Sequence, residues 1–125
     1  YIKRNNLKKR VILISNNKNV YNYYKIADLF VLSSIYEGFG NVLIEAGMFK
    51  VPIISTNCKS GPKEILKNGE YGDLVNIGDN KTMSKLIIKN LKKSDKNKIS
   101  KMYQSLKIFN IKNHILQYEK IFKKI

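Results

Sequence analysis

Short unbroken apolar runs, each followed by a helix-length segment, set the plan of this chain. Val11-Ile12-Leu13-Ile14, Leu29-Phe30-Val31-Leu32 and Val51-Pro52-Ile53-Ile54-Ser55 lack the apolar–polar alternation of a half-wet strand. Runs of this kind fit strands buried on both faces. Pro52 sits at the start of its run, where a missing N–H is tolerated. Asp73-Leu74-Val75 is a shorter fourth run. Between the runs, helices are expected from Tyr21 to Ala27 and from Asn41 to Phe49, with Asn41 as N-cap. Another starts at Gly61-Pro62-Lys63-Glu64, with proline at the first helical position, and ends near Asn68-Gly69. Longer amphipathic helices are predicted over Lys81 to Lys92 and Ser100 to Lys124. Leu86, Ile87, Asn90 and Leu91 share one stripe; Ile111, Ile115, Tyr118 and Phe122 share another. Lys92 to Lys98 is the most loop-like stretch between those two helices. Strand, helix and strand joined by short connections give a parallel sheet wrapped by helices, an α/β fold.

The 125 residues make one domain's worth of chain, and an apolar share of 43% suffices for a core. The charge is unusual: 24 basic against 9 acidic residues give a formal net charge of +15. A charge of that size attracts polyanions, whether nucleic acid, anionic lipid or phosphorylated ligand. Nearly all of it is lysine, with Arg4 and Arg10 the only arginines. Arginine is the fork preferred for phosphate and guanine, so a bias toward Lys, Asn and Ile explains the charge at least as well as a nucleic-acid surface does. RNP-like aromatics, zinc-ligand spacing and helix-turn-helix signatures are absent, so no nucleic-acid partner is expected. Cys58 is the single cysteine, which leaves no intramolecular disulfide and no thiolate metal cluster. The first residues do not make a signal peptide, and no apolar stretch reaches membrane-span length. With no initiator methionine, the chain reads as a piece of a longer protein.

The loop after the second run, Ser33-Ser34-Ile35-Tyr36-Glu37-Gly38-Phe39-Gly40-Asn41, is where chemistry is expected. Open α/β sheets bind ligands beyond the carboxyl ends of their strands. Gly38 and Gly40 let the backbone turn tightly and bring its N–H groups close to a ligand. The helix beginning near Asn41 aims its positive end at the same place, which favours phosphate. Glu37 in the loop and Glu45 on the helix's second turn are poor phosphate ligands but good acceptors for sugar hydroxyls. Diphosphate on glycines and a helix end, with hydroxyls on two carboxylates, describes a nucleotide sugar.

At these residues the chain resembles the family 4 retaining glycosyltransferases of the GT-B fold, in which two glutamates flank seven residues after an E-G-F-G type loop. Tyr24-Lys25-Ile26-Ala27-Asp28-Leu29-Phe30-Val31-Leu32-Ser33-Ser34 is similar to the family's approach to that loop. Val51-Pro52-Ile53-Ile54-Ser55-Thr56, Gly61-Pro62-Lys63-Glu64-Ile65, Gly69 and Gly72-Asp73-Leu74-Val75 follow in the family's order. The resemblance covers Asn19 to Asp73, roughly half of the chain. It implies a Rossmann-like parallel sheet flanked by helices, the C-terminal half of a GT-B architecture. That domain spans 1–125, is incomplete at its N-terminus and ends in an amphipathic helix over 100–125.

The same resemblance implies residue roles. Glu37 would lie beside the donor sugar and its anomeric region as the catalytic glutamate, and Glu45 would take the ribose hydroxyls. Gly38, Phe39, Gly40, Asn41 and Val42 would face sugar and diphosphate. Val20 and Tyr21 would hold the base through their backbone. Transfer would retain the anomeric configuration and need no metal and no cofactor, the nucleoside diphosphate sugar, such as a UDP-sugar, being the substrate. Fixed donors would stabilise the leaving group. The family's paired Arg and Lys on the diphosphate and its N-terminal acceptor domain lie upstream of this sequence, so the chain alone is expected to bind donor weakly and not to turn over. A cytoplasmic place is implied, peripheral on the inner face of the membrane where the acceptor is lipid-linked. A nucleotide-sugar epimerase of the same architecture is the alternative enzyme, although the glutamate-flanked glycine loop argues against it.

Several residues stay open between two roles. Glu64 either complements the dipole of its helix or supports the site. Tyr21, Tyr23 and Tyr24 either stack on a base or pack under the sheet edge. Cys58 has no histidine near it in sequence and reads as a passive thiol, and His114 as a surface or partly buried helix residue. The lysines of the last helix fit a solvated face or an anionic membrane.

Overall fold

In the computed structural model, which describes residues 1–15 and 19–106, three of the four apolar runs form strands. Element order is α1 (Tyr21–Ile26), β1 (Phe30–Leu32), α2 (Asn41–Met48), β2 (Ile53–Thr56), α3 (Pro62–Ile65), β3 (Asp73–Val75), α4 (Asn80–Lys92) and α5 (Lys96–Ser105). The sheet is parallel in the order β1-β2-β3, with Phe30 opposite Ile53 and Ile54 opposite Asp73. Each crossover carries helix, as parallel neighbours require.

All four residues of β2 are buried, the pattern of a central strand covered on both faces. Ile53 joins Tyr24, Leu43, Ala46, Val51, Ile65, Leu66 and Met102 in the core under α2, α3 and α5. Ile54 points to the opposite face and is also fully buried. Gly47 lets α5 close on α2, because a Cβ there would meet Met102 Cε at 2.7 Å. The buried polar groups are paired: Asn90 on α4 donates from Nδ2 to Asp73 Oδ2 at 2.9 Å, and Lys98 on α5 pairs with Asp73 Oδ1. That cluster fastens both long helices to the start of β3.

Val11-Ile12-Leu13-Ile14 departs from expectation. It forms no strand, and Ile12 and Leu13 are 81% and 82% exposed. The preceding residues fold into local turns, such as Leu7 N to Ile2 O at 3.0 Å, and among the described residues no layer covers the run. A continuous apolar strand depends on burial of both faces, so without cover the pattern does not produce the strand.

Smaller departures follow from capping. α3 ends at Ile65, and a 3₁₀ turn over Lys67–Gly69 replaces its last turn, with Asn68 at φ 55°. The segment Lys92 to Lys98 is mostly helical. Asp95 accepts from the amides of Asn97 and Lys98, starts α5 four residues before Ser100, and leaves only a tight connection. On α4 the sheet-facing stripe is Met83, Leu86, Ile87 and Asn90, whereas Leu91 is 57% exposed. The expected stripe Ile111, Ile115, Tyr118 and Phe122, and His114, lie outside the described residues.

Candidate functional site

The loops leaving β1 and β2 are bound to one another at the carboxyl edge of the sheet. Thr56, the last residue of β2, donates from its hydroxyl to Ser34 O, and Tyr36 and Lys59 form a parallel bridge beyond the strand ends. Gly61 presses still closer. A Cβ at this position would lie 1.9 Å from Phe39 O, and its φ of 78° and ψ of −72° are open to glycine rather than to L side chains. The glycine loop Glu37–Gly40 therefore rests on the backbone at the start of α3.

Gly40, not Asn41, is the N-cap of α2. It adopts the left-handed conformation, φ 92° and ψ 43°, and Asn41 is already helical. The left-handed turn swings the chain directly from the loop into the helix, and a glycine cap brings no side-chain acceptor. Among the described residues no side chain caps this end; Leu43 N bonds back to Gly40 O at 2.9 Å, and the earlier amides of α2 lie at the loop. They supply the positive end of the helix dipole beside Gly38 and Phe39.

The two carboxylates flank this helix start, and each receives a hydroxyl proton. Ser34 Oγ donates to Glu37 Oε1 at 2.6 Å, and Tyr24 Oη donates to Glu45 Oε2 at 3.2 Å. Both glutamates are partly exposed. Burial first, and then the negative charge of Glu45, push the Tyr24 phenol up to about 12. It therefore stays a neutral donor across the working pH range.

Phe39 is 42% exposed, Asn41 is exposed and Val42 half-buried, all on the loop-to-helix turn. Val20 and Tyr21 lie at the start of α1, Val20 O accepting from Tyr23 N at 3.0 Å. The Tyr21 ring stacks on Phe49, beyond the far end of α2, with centroids 5.9 Å apart. Tyr21 itself is 48% exposed. Glu64 is exposed in the first turn of α3 and lines an open groove of about 430 Å³ with Ser60, Gly61, Lys63, Lys67 and Asn68. Cys58 is buried at 2% exposure. No cluster of three or more His, Cys, Asp or Glu suited to a metal occurs among the described residues.

Of the two roles open to Tyr24 the structure shows packing in the core, and the contacts of Tyr24 with Glu45, Ser34 with Glu37 and Gly61 with Phe39 were not foreseen from sequence. Ser34 had a signal: Ser-x-x-Glu is the spacing of a capping box, although here it pairs side chains within a loop. Tyr24 lies 21 positions from Glu45, and Gly61 is likewise remote from Phe39, so local pattern carries neither contact.

The model of the family glycosyl transferases group 1 matches residues 1–109. N-acetylgalactosamine-N,N'-diacetylbacillosaminyl-diphospho-undecaprenol 4-alpha-N-acetylgalactosaminyltransferase of Campylobacter jejuni is 35% identical over 82 residues, which are 66% of this chain and 22% of that protein. Anabaena HepE in complex with UDP-glucose shares the fold at a TM-score of 0.84 and 20% identity, over 99% of this chain and 35% of HepE. The C-terminal domain of the group 1 glycosyl transferase LpcC of Francisella tularensis does so at 0.71 and 23% identity, over 88% of this chain and 59% of that one. This chain spans about a fifth of the length of the Campylobacter relative. The epimerase alternative finds no support among these proteins. With its parallel sheet, its loops joined at the carboxyl edge and the family match across most of its length, the chain belongs to the glycosyl transferases group 1, as a C-terminal-domain segment of the GT-B fold.

Proposed function

We propose that this chain is the donor-binding part of a retaining glycosyltransferase, which moves a sugar from a nucleoside diphosphate sugar to a glycan or lipid-linked acceptor in polysaccharide or glycoconjugate synthesis. The observation that carries the proposal is the pair of hydroxyl-held carboxylates, Glu37 and Glu45, on either side of the uncapped start of α2. In this reading the diphosphate lies on the amides of Gly38, Phe39, Gly40 and Asn41, with Val42 beside it. Glu45 accepts from the ribose hydroxyls, and Glu37 lies against the donor sugar near its anomeric carbon. Val20 and Tyr21 bound the base through their backbone.

Charge growing on the leaving diphosphate meets fixed amides and the helix dipole, so transfer proceeds without a metal or cofactor. The acceptor and the remaining diphosphate contacts come from a partner domain, and this chain alone binds donor without turning it over. The HepE structure is a complex with UDP-glucose, which favours a uridine nucleotide as the first donor to test. The name of the Campylobacter relative contains a diphospho-undecaprenol acceptor, which favours a lipid-linked one here. No helix among the described residues is long and apolar enough to cross a membrane. A net charge of +15 suits peripheral contact with anionic headgroups on the inner face of the membrane. Calorimetric titration with UDP- and GDP-sugars, repeated on Glu45→Ala, tests the proposal. Binding that the substitution weakens supports it, and no binding by either protein at millimolar ligand defeats it.

A further inference from the structure

Tyr24 carries a feature that neither packing nor base stacking uses. Its ring stacks on Phe49 and meets Phe30 at a tilt, at centroid distances of 5.8 and 5.6 Å, and the residue is 8% exposed. These contacts and its place in the core restrain the ring, and with it the position of the hydroxyl. That hydroxyl lies 3.2 Å from Glu45 Oε2 and 3.5 Å from Val42 O. It has one proton to give. The shorter contact is to a charged acceptor and the longer one is at the limit of a hydrogen bond, so the proton goes to Glu45. An unheld glutamate on a helix face wanders among rotamers and loses that freedom only when a ligand arrives. Here the carboxylate is held beforehand by a ring that belongs to the core, and its second oxygen and remaining lone pairs stay available.

We infer that Tyr24 is a positioning residue of the donor site: its hydroxyl holds Glu45 in the rotamer that receives the ribose hydroxyls, and so sets the preference for ribose over a sugar lacking them. This rests on the reading of Glu45 as the ribose partner. Tyr24 itself touches no ligand. Its contribution is to lower the ordering that binding would otherwise require of Glu45.

Tyr24→Phe removes the hydroxyl and keeps both ring contacts. The test is calorimetric titration of the chain with UDP, GDP and ADP, each beside its 2′,3′-dideoxy counterpart, for wild type, Tyr24→Phe, Glu45→Gln and the double variant. The expected result is a wild type that prefers the ribonucleotide. In Tyr24→Phe that preference falls by about tenfold, the scale of one hydrogen bond to a charged group. The double variant is no worse than Glu45→Gln, and thermal melting of Tyr24→Phe stays close to wild type. A Tyr24→Phe protein that keeps the wild-type preference, or that loses affinity equally for both sugars, overturns the role of Tyr24 alone. A wild type that binds none of these nucleotides, or does not tell ribose from dideoxyribose, overturns the reading of Glu45 and this inference with it.

Discussion

Replacing Gly61 by alanine strikes the contact that joins the two loops at the carboxyl edge of the sheet. The new Cβ would stand 1.9 Å from Phe39 O, more than an ångström inside the 3.0 Å that real Cβ atoms respect. The obstacle is a backbone carbonyl, which has no rotamer to escape into. The torsions add to the conflict, since φ 78° with ψ −72° lies near the strained γ-turn geometry that side chains avoid. A left-handed backbone costs an L residue about 1–2 kcal/mol, and an overpacked contact typically about 1–3 kcal/mol. Together they imply a loss of about 3 kcal/mol. The chain relieves this by moving the Glu37–Gly40 loop off the start of α3, which displaces the amides at the start of α2. A shift of about 1 Å in a positioned group weakens its function by about a hundredfold. Urea unfolding should show a lower midpoint with an unchanged slope, and calorimetry with UDP a collapse in affinity. A Gly61→Ala protein with wild-type midpoint and wild-type affinity would refute the reasoning, since it would mean the loops do not rest on each other there.

Ser34→Ala removes the proton held at Glu37, so affinity for UDP-glucose should fall about tenfold while affinity for UDP alone stays nearly constant; equal losses for the two ligands would count against Glu37 as the sugar-facing carboxylate. Burial works to raise the Asp73 pKa, but the hydrogen bonds from Lys98 and Asn90 outweigh it and hold the carboxyl below its ordinary value. A depressed pKa gives stability that is present above the unfolded value and lost as pH falls through the folded one. Wild type should therefore exceed Asp73→Asn by about 1–3 kcal/mol in urea melts at pH 7, with the gap closing below about pH 4. Met102→Ala empties a side chain that is 2% exposed against Gly47, and should cost about 2–5 kcal/mol by the same melts.

The strands at Phe30–Leu32, Ile53–Thr56 and Asp73–Val75 were legible because an unbroken apolar run has one stable home in an α/β layer fold, and these three found it. Val11–Ile14 shows the limit of the same rule, because pattern states a demand for cover without supplying the covering layer. Helix starts depended on caps. Pro62 was readable at once, and Asp95 was hidden within a lysine-rich stretch that looked like loop. Asn41 has a good capping side chain, but the turn requires a left-handed residue and Gly40 adopts that conformation at less strain, so the cap falls one residue earlier. At the candidate site, the glycine loop and both glutamates stand out through their place after a buried strand and through the family resemblance, not through spacing alone. The groups that meet this loop and Glu45 come from helix α1 (Tyr24), strand β2 (Thr56) and the start of α3 (Gly61), so only the fold brings them near.

In the proposed function the donor lies across the start of α2. The most direct measurement is amide chemical-shift mapping of the chain during titration with UDP-glucose. The amides of Gly38, Phe39, Gly40, Asn41 and Val42 should shift together and saturably, and Glu45→Ala should weaken that response. Saturable binding that leaves these five amides unmoved, with the shifts gathered elsewhere on the chain, would contradict the account.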